Sequence, residues 1–250
     1  MKREQLRNLC LLWLIVLSAC GTNIQDPDYT PNKAAKIHLQ LGVEYMRRGQ
    51  HDIALKKLEK SLRLDKNYAD AHNAIAVLYE RLDINDKARQ HYQKAVRLKP
   101  KGSDIHNNYG QFLCKHGQWE EADKHFRKAL ENPLYKTRET PYTNAGLCAL
   151  RHGKSGQAET YFRQALQKNP KFPRALYHMA DLTYKQKRYG QARNYLQRYD
   201  EIAKPTSKTL WLGIRIERTL NNREAEANHA LLLLRRFPDS EETQLLNQSP

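Results

Sequence analysis

The sequence predicts an all-α fold made of about six repeated helical hairpins. The first observation is a period of 34 residues, which is visible at one histidine position and at one alanine position: His38, His72 and His106; Ala54, Ala88 and Ala122. The second is that each period pairs a small residue with a large apolar or aromatic side chain further on. The third is the absence of strand-like alternation between apolar and polar residues. Together these observations predict antiparallel helix pairs stacked along the chain.

The predicted hairpins follow one another with little sequence between them. We expect them near residues 35–68, 69–102, 103–138, 139–172, 173–207 and 208–240, followed by a C-terminal tail, 241–250. Gly49, Gly117 and Gly153 are expected at the ends of first helices, where a left-handed backbone conformation stops a helix without a side-chain penalty. Pro100 and Pro170 are expected to close second helices, because proline cannot donate the next helical hydrogen bond.

Two hairpins depart from the regular pattern. The spacing stretches to 36 between Gly110 and its equivalent Gly146, and the extra residues fall within segment 132–141. A tolerated surface loop and a partner contact are both consistent with this insertion. In the sixth hairpin, Arg215 stands where the small residue is expected. Such a degenerate unit is typical of a terminal repeat that caps a stack.

A 34-residue period with this order of small and large residues resembles the tetratricopeptide repeat (TPR). The resemblance implies a right-handed superhelical solenoid, in which the first helix of each hairpin lines a concave groove that receives a polypeptide. The groove residues expected from this rule are Lys36, Leu39, Val43, Met46, Arg47, Asn73, Val77, Asn107 and Gln111. Leu39, Val43 and Met46 would form an apolar patch for an apolar partner segment. Alternatively, these three side chains pack inside the hairpin or beneath the preceding tether.

Residues 1–19 have the form of an export signal. A basic start precedes a nine-residue apolar run, Leu9–Leu17, whereas a membrane-spanning helix needs roughly 20 residues. The tetrad that follows ends in Cys20 and resembles the bacterial lipobox. It implies that residues 1–19 are removed and that Cys20 carries a diacylglyceryl thioether and an acylated amino group; an ordinary cleaved signal with a chance cysteine is the alternative. Residues 20–34 are then the lipidated N-terminus and a polar tether.

The residue after the lipobox cysteine predicts in which of the two membranes the lipoprotein is anchored. In the lipoproteins that this tetrad resembles, aspartate at that position favours the inner membrane, whereas Gly21 stands here. We therefore expect lipid anchoring on the periplasmic face of the outer membrane. In that oxidising compartment Cys114 and Cys148, which lie 34 residues apart, are expected to form a disulfide. The alternative is that they are two small buried residues at packing positions.

The composition favours a binding scaffold over an enzyme. The formal net charge of +16 fits an anionic membrane surface or an acidic partner segment, although many lysines would simply solvate the outer helical faces. No nucleic-acid-binding signature accompanies this charge. The ten histidines include no His-x-x-x-His pair, and no phosphate loop or nucleophile elbow is present. We expect no catalytic residue, no metal, no nucleic-acid partner and no cofactor beyond the lipid on Cys20.

Two further segments carry a closer family resemblance. They are Asn-Pro-Leu-Tyr at 132–135 and Asn-Ala-Gly-Leu-Cys-Ala-Leu-Arg at 144–151. With the lipobox, the tether and the repeats, they resemble the type IV pilus biogenesis and stability proteins PilF and PilW. The resemblance implies an outer-membrane lipoprotein that acts as a pilotin, binding the pilus secretin and promoting its localisation or multimerisation. The alternatives are a TPR lipoprotein for barrel insertion or cell-wall synthesis, or a regulator of an envelope enzyme.

Overall fold

The computed structural model describes residues 29–248, and within that range every regular element is an α-helix. The helices are α1 (Lys33–Arg47), α2 (His51–Leu64), α3 (Ala69–Arg81), α4 (Asn85–Leu98), α5 (Ser103–Lys115), α6 (Trp119–Leu130), α7 (Glu139–Arg151), α8 (Ser155–Lys168), α9 (Pro173–Lys185), α10 (Tyr189–Asp200), α11 (Ser207–Thr219), α12 (Arg223–Arg236) and α13 (Glu241–Gln248). The all-α prediction is confirmed. The predicted signal peptide, Cys20 and most of the predicted tether lie outside the described residues. Within residues 29–248, no helix combines the length and apolar character needed to cross a membrane.

The described chain divides into two compact units between Ile105 and His106, inside α5. The first unit holds the hairpins α1/α2 and α3/α4, with buried clusters around Tyr68 and around Leu98. The second unit holds the helices from α6 onward, with a buried cluster around Phe162 and Met179. In both units alanine fills the close approaches, as the repeat pattern predicts.

Each hairpin is locked by a small residue on its first helix and a larger one sixteen positions later on its second. At four hairpins the small residue is glycine, and a Cβ there would lie less than 3 Å from the facing side chain. The pairs are Gly42 with Leu58, Gly110 with Phe126, Gly146 with Phe162, and Gly213 with His229. The two helices of these hairpins can therefore approach this closely only because one side chain is absent.

The turn between the helices of every hairpin contains a left-handed residue. Glycine occupies this position in three hairpins, with φ of 73° at Gly49, 76° at Gly117 and 70° at Gly153. The other three hairpins use Asp83, Lys187 and Asn221 at φ of 56°, 60° and 54°. Asp and Asn tolerate this conformation better than most side chains, whereas Lys187 adopts it against its preference.

The C-terminal hairpin corrects one sequence assignment. Gly213, and not Arg215, is the residue of α11 that makes the close approach to α12. The sixth repeat therefore keeps its small residue, two positions before the one assigned from the sequence. The segment interpreted as a tail contains α13, whose Leu246 packs against Leu210, Ile214 and Leu233. This short helix covers part of the apolar surface that α11 and α12 present.

Candidate polypeptide-binding surfaces

The first unit carries an open depression of about 470 Å³ on the side formed by its first helices. Leu39, Val43 and Ala74 supply its apolar lining. The remaining lining side chains are polar: Gln40, Glu44, Arg47, Asp70, Asn73 and Asp104. An apolar floor inside a polar rim suits a polypeptide segment that offers an apolar side chain and backbone hydrogen-bonding groups.

The structure divides the predicted groove residues of this unit. Leu39, Val43, Arg47 and Asn73 line the depression together. Lys36 is exposed and Val77 is half-buried on the same two helices, but neither lines it.

Met46 was wrongly assigned to the groove. Its side chain is only 7% exposed, so it belongs to the hairpin core, as the alternative interpretation held. Met46 lies one helical turn after Gly42, on the buried face of α1, while Val43 is half-buried at the depression. Leu39 serves both purposes, because it also packs against the cluster of Ala35, Tyr68 and Ala71.

The rim of this depression carries both signs of charge. Arg47 Nη1 lies 4.0 Å from Glu44 Oε2, and Lys99 Nζ donates to Asp70 Oδ1 at 3.0 Å. All four side chains are largely solvated, and exposed pairs of this kind are worth only about 0–1 kcal/mol. A partner could therefore exchange these charges for its own at little cost. The net charge of the chain thus does not make this site uniformly basic.

In the second unit, the predicted groove residues Asn107 and Gln111 lie on α5. Gln111 is half-buried, but Asn107 is only 5% exposed and accepts a 2.8 Å hydrogen bond from Asn144 Nδ2. The assignment of Asn107 as a surface groove residue is therefore wrong. Asn144 was missed as a candidate, although it begins the 144–151 segment. Its Oδ1 is buried without a hydrogen-bond partner among the described residues, which marks it as an acceptor for an N–H group.

Cys114 on α5 and Cys148 on α7 are joined by a disulfide, with Cα atoms 5.8 Å apart. The two residues are 5% and 3% exposed. The bond links the first helices of the third and fourth hairpins. It therefore constrains the part of the second unit that also contains the Asn107–Asn144 pair.

Two histidine pairs occupy equivalent positions in the second and third hairpins. The Nδ1 atoms of His72 and His91 lie 3.0 Å apart, and those of His106 and His125 lie 2.8 Å apart. Such a contact holds a single proton, since two N–H groups cannot face each other. Burial, and to a smaller extent the charge of the partnering histidine, lowers the pKa of His91 and of His125 to about 4. His91 and His125 are therefore neutral at neutral pH and form part of the hairpin packing.

The second unit has a larger depression, of about 680 Å³, formed mainly by second helices. Arg127, Gln157 and Gln164 contribute long polar side chains to its lining. On the nearby insertion between α6 and α7, Leu134 is 84% exposed. We favour the depression of the first unit as the binding site because its apolar side chains lie on first helices, where a TPR stack receives its ligands.

Comparison with known proteins identifies the family. TPR family descriptions match residues 39–103, 91–124 and 149–208. The chain is 33% identical over 240 residues to the type IV pilus assembly protein PilF of Pseudomonas aeruginosa, covering 94% of this chain and 95% of that protein. The chain belongs to the PilF/PilW family.

Solved structures of PilF/PilW proteins have the same fold. The structure reported in a functional characterisation of Pseudomonas aeruginosa PilF aligns with a TM-score of 0.77 at 33% identity, covering 86% of this chain and 97% of that one. The crystal structure of PilW, described as a widely conserved type IV pilus biogenesis factor, aligns with a TM-score of 0.78 at 33% identity, covering 86% and 99%. The prediction of a TPR fold of the PilF/PilW type is confirmed.

Proposed function

We propose that this chain is a lipid-anchored pilotin of type IV pilus biogenesis, which binds the secretin and promotes its outer-membrane localisation or multimerisation. The observation that carries the proposal is the 33% identity to PilF along nearly the whole of both chains. The names of the relatives place them in pilus assembly and biogenesis. The secretin is proposed as the partner because an unassembled secretin subunit exposes apolar segments and sheet edges that need protection from aggregation.

In this proposal, a secretin segment occupies the depression of the first unit. An apolar side chain of the segment would contact Leu39 and Val43, while its backbone meets the polar rim. Fully burying one such side chain contributes about 1.5–3 kcal/mol, which gives specificity without the affinity of a permanent complex. A moderate affinity suits a factor that must release its cargo once the secretin has assembled.

The lipid on Cys20 would supply the second half of the function. More than one acyl chain is needed for stable anchoring, and the three chains of a mature lipoprotein meet that condition. A protein held at the membrane by a short tether raises the local concentration of any subunit that it carries there. Anchoring and binding are thus separable steps of the same function. Cys20→Ser would remove the anchor, and Val43→Glu would disrupt the binding surface.

The test is co-purification of the secretin from envelope extract with four forms of the protein: wild type, Cys20→Ser, Val43→Glu and Lys36→Glu. Lys36→Glu is the matched control, because Lys36 is exposed on the same helix but does not line the depression. We expect secretin with wild type and Lys36→Glu and its loss with Val43→Glu. Cys20→Ser should still bind secretin while failing to deliver it to the outer membrane.

The competing candidates predict a different result. A TPR lipoprotein for barrel insertion or cell-wall synthesis would co-purify with other envelope proteins, and its deletion would leave secretin oligomers and surface pili intact. Absence of the secretin from the wild-type sample, with its oligomers unchanged in the deletion strain, would overturn the proposal.

A further inference from the structure

The disulfide has a histidine beside it. The sulfurs of Cys114 and Cys148 and an imidazole nitrogen of His152 all lie within 4.8 Å of one another. Cys148 and His152 are one helical turn apart at the C-terminal end of α7, and Cys114 reaches them from α5. Two thiolates and an imidazole are the ligand types that Zn²⁺ prefers. A sequence search for paired histidines does not find this site, because two of the three ligands are cysteines and one of them, Cys114, comes from another hairpin.

The imidazole of His152 already holds one of its two ring nitrogens in a hydrogen bond. Its Nδ1 is 3.1 Å from the carbonyl oxygen of Cys148. A carbonyl oxygen can only accept, so Nδ1 carries the hydrogen and Nε2 keeps its lone pair. Metal-binding histidines donate their second nitrogen to a carbonyl or carboxylate in this way. The ring of Trp119 also stacks on that of His152, with centroids 5.9 Å apart, which restricts its rotation.

We propose that the reduced form of this chain binds Zn²⁺ through Cys114, Cys148 and His152, so that a disulfide and a metal ion are alternative occupants of one site. In a tetrahedral zinc site with Zn–S distances of about 2.3 Å, two sulfurs lie about 3.8 Å apart. The Cα separation of 5.8 Å allows this by side-chain rotation. Three protein ligands leave the fourth position to water.

The disulfide state passes to the zinc state in two steps, reduction and then metal binding. A dithiol reductant transfers two electrons and two protons to the Cys114–Cys148 bond, yielding two cysteine thiols and the oxidised, cyclic form of the reductant. Zn²⁺ then binds both sulfurs as thiolates and releases the two protons. Reoxidation by a small-molecule disulfide such as oxidised glutathione transfers two electrons from the two thiolates to that disulfide, which takes up two protons from water and leaves as two thiols. The re-formed Cys114–Cys148 bond withdraws two of the three ligands, and the Zn²⁺ ion is expelled. Zinc would thus hold the third and fourth hairpins together whenever the covalent bond is absent.

The test is a titration with Co²⁺, a coloured substitute for Zn²⁺. The full-length protein, with Cys10 and Cys20 replaced by serine so that Cys114 and Cys148 are its two cysteines, is reduced with dithiothreitol, freed of reductant under argon and titrated. The thiolate-to-cobalt charge-transfer band and the visible bands of tetrahedral Co²⁺ are recorded. We expect both in the reduced protein and neither in the oxidised protein. Cys114→Ser and Cys148→Ser should each lower the intensity of the charge-transfer band at least about twofold, because only one thiolate ligand remains. His152→Ala should weaken binding at least about tenfold, whereas the control His51→Ala, which removes a histidine of the first unit, should change nothing.

A second measurement covers the case in which the reduced chain loses helicity. Thermal melting of the reduced protein is followed with and without Zn²⁺. We expect the ion to raise the melting temperature of wild type and of His51→Ala, but not that of Cys148→Ser. The proposal is overturned by a reduced wild-type protein with no thiolate-to-cobalt band and no zinc-dependent rise in melting temperature. Binding by His152→Ala that is as tight as wild type would overturn it equally.

Discussion

Gly146 lies so close to Phe162 that a Cβ atom on the glycine would be 2.5 Å from the Cε1 atom of the ring. The contact joins α7 to α8 at the centre of the fourth hairpin, and Phe162 is fully buried there. The ring therefore cannot swing into solvent to make room. The same relationship recurs in the other glycine-locked hairpins and sets how closely their helices approach.

Gly146→Ala should lower the free energy of unfolding by about 1–3 kcal/mol, because the added methyl group overpacks a filled core. The matched control is Gly156→Ala in the adjoining helix, where a Cβ meets nothing within 4 Å. That change should be neutral or stabilising by up to about 1 kcal/mol, since alanine is the better helix former. Urea unfolding followed by circular dichroism measures both. Equal effects of the two changes would contradict this account of the hairpin lock.

Met46→Ala should destabilise the first unit by about 2–5 kcal/mol, because it removes a buried side chain and leaves a cavity. Val43→Ala, on the same helix, should cost less than about 1.5 kcal/mol, since Val43 is only half-buried. Thermal and urea unfolding of the two variants compares them directly. The reverse order would restore Met46 to the binding surface and place Val43 in the core.

Acidification should weaken the second and third hairpins. The pKa of His91 and of His125 is about 4 in the folded chain and close to 6.5 when unfolded, so the unfolded state binds more protons between these values. Stability is thus complete above about pH 6.5 and falls as the pH drops toward 4, by on the order of 1–2 kcal/mol per pair at pH 5. Lys87 and His72 face His91 and oppose its protonation.

The measurement is the free energy of unfolding in urea from pH 4.5 to 7.5, for wild type and for His125→Phe. The variant cannot take up the proton and should show a flatter pH profile, whatever its stability at pH 7. His51→Gln serves as the control and should keep the wild-type slope. A wild-type profile that stays flat below pH 6.5 would show that the paired histidines are not held neutral by burial.

Reduction of the Cys114–Cys148 bond should lower the free energy of unfolding by about 3–4 kcal/mol, because the bond closes a loop of 34 residues. Urea unfolding with and without reductant, in metal-free buffer, measures the difference. Thiol counting in denaturant should find no reactive thiol from these two positions before reduction and two afterwards. Two reactive thiols in the untreated mature protein would contradict the bond.

Sequence reasoning could predict the hairpins because the 34-residue period follows directly from the geometry of two helices and two turns. In the sixth hairpin, the sequence interpretation placed the small residue at the position of Arg215 instead of at Gly213. Gly213 faces His229 rather than a large apolar residue, so the usual pattern of a small residue paired with a large apolar one is missing. Nothing in the sequence indicates that Leu246 packs against the cluster of Leu210, Ile214 and Leu233, since α13 is short and falls outside the period.

The binding surface was predicted only in part. A groove rule based on repeat position identifies Leu39 and Val43, but it places Met46 on the surface because a shift of a few residues around a helix exchanges groove for core. The amide pair of Asn107 and Asn144 depends on the approach of side chains from different hairpins. Such a contact requires three-dimensional coordinates, because residues 37 positions apart show no pairing in one sequence.

The central claim is that the depression of the first unit holds a secretin segment. Photo-cross-linking in cells tests it most directly, with a photoreactive residue placed at Val43, inside the depression, or at Lys36, outside it on the same helix. The account predicts an adduct that contains the secretin from position 43 and little or none from position 36. Equal secretin adducts from both positions, or none from position 43 while secretin still co-purifies with the protein, would contradict it.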